Sequence, residues 1–286
     1  MGISSFIRRK LLQRKKVHYI SNKTQLSELD TELGGLNLFG LDTEFDWRTT
    51  YFPKLSMVQI SSLKNIFLID CLLINPSTVL KKHLENKEKL KIFHSARSDA
   101  TVLSNCIEAQ TSNVFDIQMA EKLISNNQIE AYGKIVNKYY GIKLLKSETN
   151  SNWLRRPLTK NQMSYAKDDV YYLIEIYKLQ RKILKKRNLL NEAFTNSKKE
   201  VTYGNKPLKE IRLKRQEKRL SQRNQKIFIW REEIAEAANL PPSFIFKEKY
   251  IGKLSKINSK DTSAKKKIMS IIGDSEITQK FIKDFL

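Results

Sequence analysis

The segment "LNLFGLDTEF", residues 36–45, constrains this chain most sharply. It is apolar enough for a buried strand, yet it carries Asp42 and Glu44. In extended backbone, residues i and i+2 share a face. Two carboxylates would then stand about 7 Å apart along one strand. At an effective dielectric near 20 their repulsion costs about 2–3 kcal/mol if both stay charged. A fold built around this strand has to compensate those charges.

The surrounding pattern predicts two regions. "LSMVQISS", "NIFLIDCLL" and "LKIFHSA" read as further strands. "IQMAEKLIS", "IEAYGKIVNKYYG" and "TKNQMSYAKDDVYYLIEIYKLQRKILKKR" read as helices, the last with Met163, Ala166, Val170, Leu173, Ile174 and Tyr177 at helical spacing. Strands followed by helices predict an α/β or α+β domain with a small sheet. From about Leu208 the strand signals stop. "LKEIRLKRQEKRLSQRNQKIFIWREEIAEAANL" is one helical pattern or two joined, "PPSFIF" interrupts it, and three short helical patterns follow. "NSKKEVTYGNKPLKE" carries the Gly, Asn and Pro of a linker. The expected layout is a basic arm over 1–16, an α/β domain over 17–195, a linker over 196–209 and a small all-α bundle over 210–286.

Composition narrows the partners. The formal net charge of +23 on 286 residues attracts polyanions, of which nucleic acid is the commonest. Cys71 and Cys106 fit no metal spacing and no disulfide framework, and read as buried thiols in a reducing compartment. No apolar run is long enough for a transmembrane helix, so no membrane partner is expected. The basic start "MGISSFIRRKLLQRKKVHYI" lacks the apolar core of a secretory signal. These missing signals predict a cytoplasmic protein.

Two more carboxylates join the pair. "LKIFHSARSDATVL" reads as a strand and then a helix, with Asp99 near the helix start, where the dipole also favours an acid. "SYAKDDVYYL" places Tyr165 and Asp169 four apart on one helix face, with Asp168 turned away. Four converging carboxylates without bases to pair them require cations. Mg²⁺ suits such oxygen ligands, and two ions about 4 Å apart form the standard device for phosphodiester cleavage.

Taken in order, "LDTEFDWRTTYFPKLSMVQIS", "IFHSARSDATVL", "VFDIQMAEKL", "AYGKIVNKYYGIKLLKSETNSNWLRRPL" and "QMSYAKDDVYYL" resemble the ribonuclease D family. That family belongs to the DEDD 3′→5′ exonucleases, in the subgroup with a motif tyrosine. The resemblance implies an α/β, ribonuclease H-like domain with a mixed central sheet flanked by helices, and it assigns roles. Asp42 would bridge two metals, and Glu44 would ligate the one that carries the attacking water. Asp99 would hold the other metal, Asp169 would complete the first site, and Tyr165 would orient the water. The sister subgroup has a histidine where this chain has Ser164. His18, His83 and His94 are not placed to serve as that base.

Other positions stay open. Arg97 either touches a substrate phosphate or pairs with a neighbouring acid. Trp153, Arg155 and Arg156 either line the RNA path or serve as core (Trp153) and surface (the arginines). Asp116 reads as a helix cap, and Gln59 as packing near the first strand pair. The tail, with Trp230 and Arg231 opening "IFIWREEIAEAANLPPSFIFKEKYIGKL", resembles an HRDC domain, whose usual role is auxiliary nucleic-acid binding. There is room for one such domain, where longer family members have two. The basic run Lys206, Lys209, Arg212, Lys214, Arg215, Lys218, Arg219 and Arg223 either contacts phosphates or forms a solvated face.

The resemblance therefore implies a 3′→5′ exoribonuclease using two Mg²⁺ or Mn²⁺ ions. It would act on RNA with a free 3′ end, with precursor tRNA as the substrate class; the sequence leaves the oligomeric state open, with a monomer expected. A DNA 3′→5′ exonuclease and an inactive RNA-binding module are the alternatives. No nucleoside triphosphate is expected, because the chain has no G-x-x-x-x-G-K-[ST] loop.

Overall fold

Strand β2 (Leu38–Asp46) lies inside a six-stranded sheet, as its apolar run predicts. The structure is a computed structural model that describes residues 8–9, 12–145, 148–216 and 220–286. The strands are β1 (Lys16–Ile20), β2, β3 (Lys54–Ser61), β4 (Asn65–Asp70), β5 (Leu90–Phe93) and β6 (Val114–Asp116), in the spatial order β1-β4-β3-β2-β5-β6. Strand β2 runs antiparallel to β3 and parallel to β5. β3 and β4 are antiparallel, while β1 pairs with β4 and β6 with β5 in parallel. The sheet is mixed, as expected.

Helices α1 (Lys23–Gly34), α2 (Ser77–Leu84) and α3 (Ala96–Ile107) share a core with Leu41, Val58 and Ile60. The other face packs Met57, Leu68 and Ile92 against α4 (Ile117–Ile124), α5 (Tyr132–Tyr140), α6 (Lys160–Tyr171) and α7 (Leu173–Lys186). Gly40 permits the close approach on this second face. A Cβ there would lie 2.5 Å from Ser61 Oγ and 3.0 Å from Leu173 Cβ. Cys71 and Cys106 are both free, and burial pushes the Cys71 thiol up to about 12.

The structure departs from the sequence reading in several places. The helix expected over residues 159–187 is broken at Tyr172, whose N–H donates to the Tyr132 hydroxyl at 3.2 Å. Residues 196–204, read as linker, belong to helix α8 (Leu190–Gly204), which buries Ala193, Ser197, Val201 and Gly204. Gly204 is a packing residue rather than a hinge, because a Cβ on it would come within 2.4 Å of the Arg97 carbonyl oxygen. Strands β1 and β6 and helices α1 and α2 carried no clear periodic signal. Of the basic arm, residues 1–7, 10 and 11 lie outside the described residues, and Lys16 already belongs to β1.

The chain divides into two units. The first holds the described residues up to Asp46 together with Pro53–Asn205. The second holds Lys206–Leu286 and, from far earlier in the chain, Trp47–Phe52. Its helices are α9 (Leu208–Gln216), α10 (Gln222–Ala238), α11 (Pro242–Ile245), α12 (Ile251–Leu254), α13 (Ala264–Ile272) and α14 (Glu276–Phe285), with a 3₁₀ turn at Glu248–Tyr250. In its core Trp230 packs on Phe281 and Phe285 and donates Nε1–H to Asp284 Oδ2 at 2.7 Å. Tyr51 is fully buried here. The Arg212 guanidinium stacks 4.3 Å from its ring, and Asn239 Oδ1 accepts from the N–H groups of Tyr51 and Phe52 at 3.1 Å each.

Among the described members of the basic run, three lie beside acids of this unit: Lys206 with Glu210 at 3.6 Å, Lys209 with Glu233 at 3.7 Å and Arg212 with Glu232 at 3.0 Å. Lys218 and Arg219 lie outside the described residues. No helix among the described residues is long and apolar enough to cross a membrane.

Candidate active site

Strand alternation puts Asp42 and Glu44 on the face covered by α6. Their partners across the ladder are Gln59 and Met57. The register shifts between Glu44 and Phe45, a bulge that ends regular pairing beside the second acid. Helix α6 starts with a capping box in which the Thr159 side chain accepts from Gln162 N–H and the Gln162 side chain answers the Thr159 backbone. That start fixes the phase of the helix, so that Tyr165 and Asp169 share one face.

Asp42, Glu44 and Asp169 each offer a carboxylate oxygen within 4.8 Å of the others. Asp99 stands beside this trio rather than in it. It projects from the first turn of α3, is 4% exposed, and its Oδ1 accepts the Thr43 hydroxyl at 2.6 Å. Asp168 turns away and lies 3.2 Å from Lys167 Nζ.

Burial pushes the Asp42 carboxyl up to about 7. Glu44 rises to about 10, through burial first and then the charges of Asp42, Asp169 and Asp99. Asp169 rises to about 9 through burial, Asp42 and Asp168, with the Tyr165 hydroxyl pulling the other way. Asp99 is raised by burial and by Asp42 against its bond to Thr43. Buried acids that repel one another cannot all ionise unless positive charge enters with them. A trio of hard oxygen donors so placed fits a divalent cation of the Mg²⁺ class, and Asp42, Glu44 and Asp169 are the residues that could hold it.

The trio opens into a cavity of about 320 Å³ whose wall includes His94, Tyr132, Leu144, Leu145 and Thr149. The Tyr165 hydroxyl lies 3.3 Å from Thr149 Oγ1, and its ring tilts against Trp153 with centroids 6.0 Å apart. His94 Nε2 is 3.1 Å from the Glu130 carbonyl oxygen. Thr43 escaped the sequence reading because alternation points it to the opposite face from the acids it separates. Its signal was its position between them.

The remaining candidates have defined places. Arg97 forms a two-pronged pair with Glu200 at 2.7 and 2.9 Å and stacks on Tyr203 at 4.4 Å. Trp153 is buried, and Arg155 is exposed. Arg156 bonds the fully buried Asp70 carboxylate at 2.5 and 2.8 Å, where the Tyr19 hydroxyl also donates. Asp116 caps α4 through Gln118 N–H and also accepts from Ser95 and Ala96 N–H, which seats the start of α3 and hence Asp99.

Residues 17–185 match the family model described as 3′-5′ exonuclease, and residues 221–286 match the HRDC domain. The chain is similar to the ribonuclease D of Desulfotalea psychrophila, 35% identical over 160 residues, 56% of this chain and 43% of that one. It is similar to the ribonuclease D of Bartonella henselae, 30% identical over 260 residues, 87% of this chain and 64% of that one. The chain thus spans between 43% and 64% of the length of these two curated relatives. The crystal structure of Escherichia coli RNase D shares the fold, with a TM-score of 0.79 and 22% identity over 95% of this chain and 76% of that one. With the exonuclease model covering more than half of its residues and the HRDC model covering most of its helical tail, this chain belongs to the 3′-5′ exonuclease family and carries an HRDC domain after it.

Proposed function

We propose that this chain is a metal-dependent 3′→5′ exoribonuclease that trims RNA 3′ ends and releases nucleoside 5′-monophosphates. The observation that carries the reading is the convergence of Asp42, Glu44 and Asp169 within 4.8 Å, inside a domain of this exonuclease family. Two Mg²⁺ or Mn²⁺ ions, when bound, supply activation of water and stabilisation of the leaving oxygen.

The side chains divide the remaining work. Asp42 and Glu44 bind from the strand and Asp169 from α6. Asp99 binds from α3, with its orientation held by Thr43. Tyr165 orients the attacking water. Burial and the Asp169 charge push its phenol above the ordinary value, so it stays protonated and acts as a donor. Leu144 and Leu145 give the terminal base an apolar wall.

Structured RNAs, precursor tRNA among them, are the proposed substrates. The Escherichia coli RNase D is described as an exoribonuclease involved in structured RNA processing. The net charge of +23 supports a polyanionic partner, and the HRDC domain would add contacts to it. The test is digestion of 5′-labelled RNA and matched DNA with Mg²⁺ or Mn²⁺, with EDTA, and with a blocked 3′ end. The expected result is a one-nucleotide ladder on RNA that EDTA or the block abolishes. A ladder mainly on DNA would replace the substrate, and binding without any ladder would overturn the activity.

A further inference from the structure

Gln59 is fully buried in β3, and neither Oε1 nor Nε2 has a hydrogen-bond partner. A primary amide taken out of water without compensation costs roughly 2–7 kcal/mol, depending on the reference state. Buried polar groups are therefore nearly always bonded. Packing alone does not account for this residue, since leucine or methionine fills such space at no polar cost.

The register says where its partner lies. Gln59 sits opposite Asp42 on β2 and opposite Leu68 on β4. Leu68 offers nothing polar. Residues directly opposite in a ladder share a face, with Cβ atoms about 4.5–5.5 Å apart. The face is fixed independently by the next pair along. Ser61 lies opposite Gly40, its Oγ is the nearest atom to a Cβ built on Gly40, and it donates to the Val170 carbonyl of α6 at 2.8 Å. Two residues back along β3 and two forward along β2, Gln59 and Asp42 occupy that same face beneath α6. The amide and the carboxylate are thus cross-strand neighbours on one face. An ionised carboxylate only accepts, and N–H donors to it form the stronger, charge-assisted class of hydrogen bond.

We propose that Gln59 is the positioning residue for Asp42: its amide N–H donates to the Asp42 carboxylate and sets how that carboxylate faces the cation site. This rests on the reading of Asp42 as a metal ligand. The carboxamide touches no substrate atom and acts only through Asp42. Second contacts of this kind typically change metal affinity by about 10–100-fold.

The test is Mn²⁺ binding, followed by the EPR signal of the free ion without RNA, in the wild type, Asp42→Asn and Gln59→Met. Each is measured at a temperature where the metal-free protein is fully folded. Gln59→Met is expected to bind Mn²⁺ about 10–100-fold more weakly while staying folded at the temperature of measurement. Unchanged Mn²⁺ affinity in Gln59→Met overturns the proposal. A wild-type chain that does not bind Mn²⁺, or an Asp42→Asn variant that binds equally well, would instead sink the metal reading beneath it. If Gln59→Met does not fold, Gln59→Asn, which draws the amide back by one methylene, serves with the same two outcomes.

Discussion

The Thr43 hydroxyl donates to Asp99 Oδ1 at 2.6 Å, joining residues 56 positions apart in the chain. Strand β2 thus presents two acids on one face and, from the residue between them, holds a third acid from the other. Thr43→Val keeps the shape and removes the donor. It should lower activity about 10–100-fold with little change in fold, as loss of a ligand's supporting bond usually does. Single-turnover rates on a short RNA across a Mn²⁺ titration would check this, and an unchanged rate would free Asp99 from dependence on Thr43.

Asp42→Asn should remove most exonuclease activity while RNA affinity holds or tightens. It deletes a charge from an acid cluster and leaves the basic surface intact. The same change relieves the repulsion that raises Glu44 and Asp169, so the metal-free variant should melt no lower than the wild type. Filter binding and calorimetry in EDTA read both effects, and unchanged turnover would exclude Asp42 as a ligand.

For Tyr165→Phe a smaller loss is expected, about 10–10³-fold in the rate of cleavage, because positioning goes and the carboxylates stay. A loss as deep as that of Asp42→Asn would mean that the hydroxyl does more than orient water.

Arg156→Met leaves the Asp70 carboxylate buried without its cation. Stripping one partner from a buried pair costs about 3–5 kcal/mol, so the urea midpoint should drop while RNA affinity under stable conditions is kept. The reverse pattern, weaker RNA binding at unchanged stability, would make Arg156 a substrate contact.

Lys91 is fully buried, its Nζ donates to the carbonyls of Asn86 and Lys89 at 2.7 and 2.9 Å, and burial lowers its pKa from 10.5 to about 7. Between those values the unfolded chain holds the proton and the folded chain releases it. Stability contributed by this site therefore rises with pH above about 7 and is flat below it. Urea unfolding of the wild type should gain more between pH 6.5 and pH 9 than that of Lys91→Met, and parallel profiles would show an ordinary lysine.

Strand β2 with its two acids was legible because charge in an apolar run is conspicuous. Asp42 and Glu44 announced themselves on β2, and the four-residue spacing of Tyr165 and Asp169 announced α6. Where polar and apolar patterns did not conflict, less could be read. Residues 196–204 look like a linker because Ser197, Lys198 and Lys199 hide a helix whose buried stripe is only Ala193, Ser197, Val201 and Gly204. Strand β6, at three residues, is too short for any period to show. Nothing local in "WRTTYF" tells that Tyr51 is buried by a bundle of distant helices.

That last placement bears on how the chain is made. Tyr51 leaves the ribosome 161 residues before Arg212, whose guanidinium covers its ring. Throughout synthesis of the intervening exonuclease domain, the tip between β2 and β3 has no home, and an aromatic pair waits in water within a few residues of Glu44. Vectorial folding from the N-terminus can pair β2 with β3 but leaves the tip between them uncovered until the bundle is made. A nascent chain stalled before the bundle emerges should be a target for chaperones and proteases at that tip.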